Sequence, residues 1–232
     1  HGAVDAGMGY AGLASCRAAL AAEGYEVLLA DTGDAFRGKP AAALDSGAHI
    51  AGLMNLLGYT ACVPGSLDPA PSSDAFGALS DSAEFSFVSV SDGALRPYVI
   101  VDRAGVSVAF LGVRSEAETA EQALCAAVQD AADEARADGA DFVLALAHMP
   151  DSCARGLIAA TTGIDAFLAG GASESVECAR VANAGGDHVP LSRAGQEFAS
   201  VGLLVINRRG GVSTGLLTES FAPDPLVEEA VR

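Results

Sequence analysis

The chain has 232 residues, half of them hydrophobic and 19% charged, a globular composition with enough interior to dispense with disulfide staples. Its formal charge is −17, from 13 basic and 30 acidic residues, and such a surface repels phosphate backbones, which excludes nucleic acid as a partner. No apolar run approaches the ~18 residues of a membrane span.

Read in chain order, residues 11–22 form a helix closed by Gly24, and EVLLA (26–30) a buried strand. Leu44, Ile50, Leu53, Met54 and Leu57 recur at helical spacing over 40–57, ahead of Gly58. YTACV (59–63) is a short strand, and Pro64, Gly65, Pro69 and Pro71 mark a loop after it. EFSFVSV (84–90) is strand-like, and residues 96–113 read as a hairpin around Ala104-Gly105. A long acidic helix follows over 117–138, stopped by Gly139. DFVLALAHMP (141–150) is a buried strand with His148 near its end, followed by a helix near 151–161 and a strand over 164–171. Residues 199–219 read as a second hairpin, and Asp224-Pro225 opens a helix over 224–232.

Alternating strands and helices imply an α/β domain, and the hairpins exclude a purely parallel sheet. The expected architecture is a four-layer α-β-β-α sandwich with mixed sheets. No linker or internal repeat interrupts the chain, so 1–232 reads as a single domain.

The five cysteines, Cys16, Cys62, Cys125, Cys153 and Cys178, are too far apart for a zinc ribbon, and their odd number argues against a disulfide framework. They are expected to be buried free thiols. GMGYAG (7–12) has the glycine spacing of a dinucleotide loop, but no strand precedes it, so it reads as a glycine-rich loop. No nucleophile-elbow motif supports serine catalysis.

Four buried strands end in polar residues of the types that bind divalent metals. The first gives Asp31 and Asp34, the second Ser66 and Asp68, the third His148 and the fourth Glu174. Each also has a plain structural role open to it. An acid can cap a turn, a lone histidine can be hydrogen-bonded in place, and Glu174 in a serine-rich loop can simply be solvated.

The order of these strand tips resembles the calcineurin-like metallophosphatases, specifically the N-terminal domain of the 5′-nucleotidase and UDP-sugar hydrolase family. The blocks that carry the resemblance are His1-Gly2, LLADTGDAFRGKP (28–40), LMNLLGYTACVPGSLD (53–68), RPYVIVDRAGVSVAFLGV (96–113) and PDPLVEEAV (223–231). The family places two adjacent metals over one bridging aspartate. Carried onto this chain, the resemblance implies that Asp34 is the bridge and that His1 and His148 are ligands. The family's Asn position is Ser66, its catalytic histidine position is Leu67, and its two final histidine positions are Ala172 and Glu174.

The expected metal ligands are therefore His1, Asp34, His148 and Glu174, with Ser66, Leu67 and Ala172 degenerate and no catalytic side chain. This implies one divalent cation, Mn or Zn, or none. Leu67 cannot transfer a proton, so the resemblance implies a scaffold that has lost two-metal phosphoester hydrolysis and serves as a binding module. The alternative is a phosphoesterase of nucleotides working with a reduced or rebuilt metal site. The family's motif Asp would lie ahead of His1, and residues 224–232 would lead into a C-terminal nucleotide-binding domain. No signal peptide is visible. An extracellular, periplasmic or cell-surface location follows from the resemblance alone.

Overall fold

The computed structural model describes residues 7–36, 47–171, 176–207, 209–218 and 220–231. His1, Ala172 and Glu174 lie outside the described residues, as does 40–46 of the second expected helix.

The chain begins with α1 (Gly9–Ala22), β1 (Leu29–Asp31), α2 (Ala48–Leu57) and β2 (Tyr59–Cys62). Then come α3 (Asp74–Ser82), β3 (Ser86–Phe87), β4 (Tyr98–Arg103), β5 (Val106–Arg114), α4 (Gln122–Ala137) and β6 (Phe142–His148). α5 (Asp151–Ala160), β7 (Ala166–Gly170), β8 (Glu177–Ala182), β9 (His188–Arg193), β10 (Val201–Ile206), β11 (Val212–Leu217) and α6 (Pro225–Val231) complete it.

β1, β2 and β3 form a parallel three-stranded sheet. A six-stranded sheet has the order β4-β5-β6-β7-β9-β8. Its four central strands run parallel, and the edge strands β4 and β8 are antiparallel to their neighbours. β10 and β11 form the expected second hairpin.

Three hydrophobic clusters lie in the three gaps of a four-layer stack. The first joins the six-stranded sheet to α4 and α5 through Leu111, Val128, Val143 and Leu157. The second joins α1, α2, α3 and α6 to the small sheet through Tyr10, Ile50, Met54, Cys62 and Phe87. The third lies between the sheets and contains Ala61, Val88, Phe110, Leu144 and Leu146. Strand alternation sorts the residues: Ala109, Leu111 and Val113 of β5 face the helices, while Val108 and Phe110 face the other sheet. Both faces of β5 and β6 are covered, which explains their continuous apolar runs.

Several boundaries differ from expectation. The 117–138 helix begins at Gln122, and EFSFVSV contributes only the two residues of β3. Beyond β3 that segment crosses toward the large sheet, where Val90 N–H donates to the Gly112 carbonyl at 2.8 Å. α3 is hidden in the sequence by the surrounding prolines, although Ser73 caps it, its Oγ accepting from Phe76 N–H at 3.2 Å. The β8–β9 hairpin is likewise absent from the expected elements. Its turn is held by Asn183, whose Oδ1 accepts from Gly185 and Asp187 N–H. The five cysteines are free, but only Cys16, Cys62 and Cys153 are buried; Cys178 is exposed on the edge strand β8.

Gly112 is a tight inter-sheet contact, because a β-carbon there would land on the Val88 carbonyl. Gly112→Ala must push main chain rather than a flexible side chain, and overpacking of this kind costs about 1–3 kcal/mol. Urea unfolding is expected to show a loss at the upper end of that range.

Candidate metal centre

The site forms where the carboxyl ends of β1, β2, β6 and β7 converge. Past β1 the chain turns sharply at Gly33 (φ +100°) and Asp34 (φ +61°). Asp31 begins this turn, its Oδ1 accepting from Gly33 N–H at 2.8 Å. Asp34 is not glycine, so its left-handed backbone is strained by roughly 1 kcal/mol.

Space dictates the glycines here. A β-carbon on Gly33 would meet His148 Nδ1 at 2.6 Å, and one on Gly65 would strike the Asp34 side chain. The two turns therefore lie against each other with no side chain between them.

Asp68 binds the turns together. Its Oδ2 accepts from Asp34 N–H and Gly65 N–H, each at 2.8 Å, and its Oδ1 accepts from Phe36 N–H at 2.9 Å. Burial pushes its carboxyl pKa up, the N–H groups of Gly65 and Phe36 pull it down, and the charges of Asp31 and Asp34 add to the rise. Asp68, a strand-tip acid outside the expected ligand set, thus has both oxygens committed to backbone donors.

Asp34 and His148 are brought together as expected. Asp34 Oδ1 accepts from Leu67 N–H at 2.8 Å, while Oδ2 lies 3.5 Å from His148 Nε2. His148 is buried, and its Nδ1 lies 2.8 Å from the Thr32 carbonyl. A carbonyl only accepts, so Nδ1 carries the proton. Ser66 N–H points at Nε2 from 3.3 Å, which marks Nε2 as the lone-pair nitrogen. Metal-binding histidines usually anchor one ring N–H on a carbonyl or carboxylate in this way and offer the other nitrogen's lone pair to the ion. The 3.5 Å separation suits two ligands each ~2.1 Å from one ion.

The donor set is nevertheless small. Among the described residues, no group of three His, Cys, Asp or Glu side chains could hold a metal. Ser66 Oγ is 3.5 Å from Nε2 and is a weak ligand type, and Leu67 is exposed without any titratable group. Two donors fall short of the four of an ordinary zinc site.

Beside this pair, a cavity of about 520 Å³ opens between the sheets. Thr32, Asp34, Ser66 and Leu67 form one wall, and Gly170, Gly171 and the 194–202 segment the other. Within that segment Glu197 and Phe198 are also left-handed, and Phe198 packs edge-on against Tyr10 at 4.9 Å.

Sequence reasoning misses Arg193 altogether. It is 1% exposed, and it donates to the Gly170 and Met149 carbonyls, each at 3.0 Å. Burial lowers its pKa, and the nearby Asp151 carboxylate opposes the change. An isolated arginine in PLSRAG carries no sequence signal that would distinguish it from a surface residue.

The architecture matches that of solved structures. A 5′-nucleotidase precursor from Thermus thermophilus superposes with a TM-score of 0.81 at 20% identity, over 96% of this chain and 52% of that one. The calcineurin-like phosphoesterase YfkN from Bacillus subtilis superposes with a TM-score of 0.70 at 18% identity, over 97% of this chain and 88% of that one. The chain has the calcineurin-like metallophosphatase fold. The sulfate thiohydrolase SoxB from Thermus thermophilus shares the metallophosphatase fold as well, with a TM-score of 0.77 at 18% identity over 96% of this chain and 46% of that one. The chain spans about half the length of the 5′-nucleotidase precursor and of the thiohydrolase. No protein-family model and no curated protein matches the sequence.

Neutralising Asp68 should loosen both turns. Asn offers one acceptor oxygen where the carboxylate satisfies three N–H donors, and its NH₂ would face a donor. Asp68→Asn is expected to cost at least about 2 kcal/mol in equilibrium unfolding, the scale of a buried donor left unpaired.

Proposed function

We propose that this metallophosphatase-fold domain has lost two-metal phosphoester hydrolysis and acts as a binding module that holds one divalent cation, Mn or Zn, through Asp34 and His148. The observation that supports this reading is Leu67: its N–H donates to Asp34 Oδ1, and the resemblance assigns to this exposed aliphatic residue the position of the family's catalytic histidine. A positioned acid or base contributes roughly 10²–10⁴-fold to such reactions. Ser66 adds to it, since a hydroxyl replaces the amide expected of the second metal's ligand set.

The cation would be supplemented by His1 and Glu174, and its chemistry when bound is that of a Lewis acid toward phosphoryl oxygens. The ligand in this reading is a nucleotide or related phosphoester, in keeping with the nucleotidase among the structural neighbours. The same reading places the domain outside the cytoplasm and joins it to a C-terminal nucleotide-binding domain. Among the described residues no helix is long and apolar enough to cross a membrane.

A second reading, a phosphoesterase with a rebuilt site, draws on the same geometry: His148 Nδ1 against the Thr32 carbonyl and the 3.5 Å Asp34–His148 separation suit a metal.

Titration of metal-stripped protein with Mn²⁺ is expected to show a single weak site, lost in Asp34→Ala and His148→Ala. Two equivalents bound at micromolar affinity would overturn the binding-module reading.

Hydrolysis of bis(p-nitrophenyl) phosphate with Mn²⁺ present is expected to stay near background in the wild type. Replacing Ser66 by Asn and Leu67 by His together is expected to raise it at least about a hundredfold. Efficient wild-type turnover, abolished in Asp34→Ala, would establish the second reading instead.

A further inference from the structure

The buried Arg193 lies behind the site rather than in it. It sits at the end of β9, in register with Ala169 of β7 on one side and Glu177 of β8 on the other. Its two terminal nitrogens span neighbouring strand ends: Nη1 donates to Gly170 of β7 and Nη2 to Met149, the residue after His148 of β6. His148 and Gly170 are themselves paired in the sheet. The guanidinium fork therefore bridges the two strand tips that carry the site.

The arrangement is expensive for the fold. Arg193 Nε and Asp151 Oδ1 are 3.7 Å apart, and among the described residues neither atom has a hydrogen-bond partner. A buried charge with an unmade hydrogen bond is destabilising, and an apolar residue of similar volume would close a sheet end at lower cost. Asp151 spends its other oxygen on Arg155 Nε at 2.7 Å, and Arg155 reaches Glu177 at 2.5 Å. Each carboxylate in this chain of charges thus makes its short contact with the more exposed Arg155, and Arg193 keeps a looser ion pair with Asp151 beside its hydrogen bonds to the two carbonyls.

From those carbonyls the path to the imidazole is short. Gly170 has no side chain because Thr32 is packed against it; a β-carbon there would strike the Thr32 side chain. The Thr32 carbonyl in turn receives His148 Nδ1–H. Arg193 thus touches the main chain one residue after His148 and, through the Gly170–Thr32 contact, lies two contacts from the carbonyl that accepts the ring proton.

We infer that Arg193 is a positioning residue: by clamping the Met149 and Gly170 carbonyls it holds His148 in the Nδ1–H tautomer that points the Nε2 lone pair at Asp34. This rests on the reading of Asp34 and His148 as a cation-binding pair, but its test does not require the cation.

The test is ¹⁵N NMR of the imidazole rings in the metal-free chain at about pH 8.5, well above the ordinary imidazole pKa of about 6.5. His148→Gln assigns the signal. The wild type is expected to show one fixed Nδ1–H tautomer for His148. Arg193→Met and Arg193→Lys are expected to shift that signal toward an average of the two tautomers, with the other three histidines unmoved. An unchanged His148 signal in either folded variant overturns the inference. Arg193→Lys keeps the charge and loses only the fork, so it answers the question if Arg193→Met does not fold.

A Mn²⁺ titration of the same variants separates the two proposals. Weaker Mn²⁺ binding by about tenfold or more, the usual effect of losing a group that orients a metal ligand, supports both. A tautomer change in a protein whose wild type binds no Mn²⁺ supports the role of Arg193 and overturns only the cation reading.

Discussion

Three backbone N–H groups from two separate loops converge on the Asp68 carboxylate, and the shape of the site depends on that convergence. The turn after β1 and the loop after β2 belong to adjacent parallel strands, which cannot be joined by a tight hairpin. A buried carboxylate does the joining instead. It fixes the backbone on both sides of Asp34, and Gly65 supplies the space into which the Asp34 side chain fits. Three N–H donors on one carboxyl group favour its ionised form, whose hydrogen bonds are stronger than those between neutral groups.

The opposite wall of the site is held by different means. His148 ends a strand covered on both faces, so its backbone is fixed by the two hydrophobic layers. Its ring is fixed by one carbonyl. The pairing of Asp34 with His148 thus joins the two sheets at their carboxyl ends, the place where a ligand crevice is expected in an α/β architecture. Leu67 and Ser66 sit on the loop between them, exposed, and nothing in the packing constrains their identity. Chemistry can be lost at these positions without disturbing the scaffold.

That division explains what the sequence makes legible. β5, β6 and the strand-tip pair Asp34 and His148 can be read because long apolar runs and sharp Asp-Gly punctuation are local signals. α3 cannot, since Pro64, Pro69 and Pro71 announce a loop more strongly than Ser73 and Asp74 announce a cap. The β8–β9 hairpin is hidden because its edge strand, ECARVA, is short, half-exposed and close to the glycines of the preceding strand. Asp68 and Arg193 are a different case. Both act on main-chain groups remote in the chain, Asp34 and Phe36 for one, Met149 and Gly170 for the other. An acid or arginine destined for such a role looks like any other in the sequence. Asp68 is visible there as a strand-tip acid without a stated partner; Arg193 is not visible at all.

The left-handed backbone at Asp34 sets thermostability and ligand holding against each other at a single residue. Glycine would relieve the strain, and asparagine would tolerate the conformation better than most residues. Either would remove the carboxylate that faces the imidazole, so the residue that best suits the turn is not the one that best suits a cation. The same conflict does not arise at Ser66 or Leu67, whose side chains carry no comparable burden. Engineering this domain for heat resistance would therefore favour the replacement of Asp34 first, and would remove the carboxylate that faces His148 while leaving the sandwich intact.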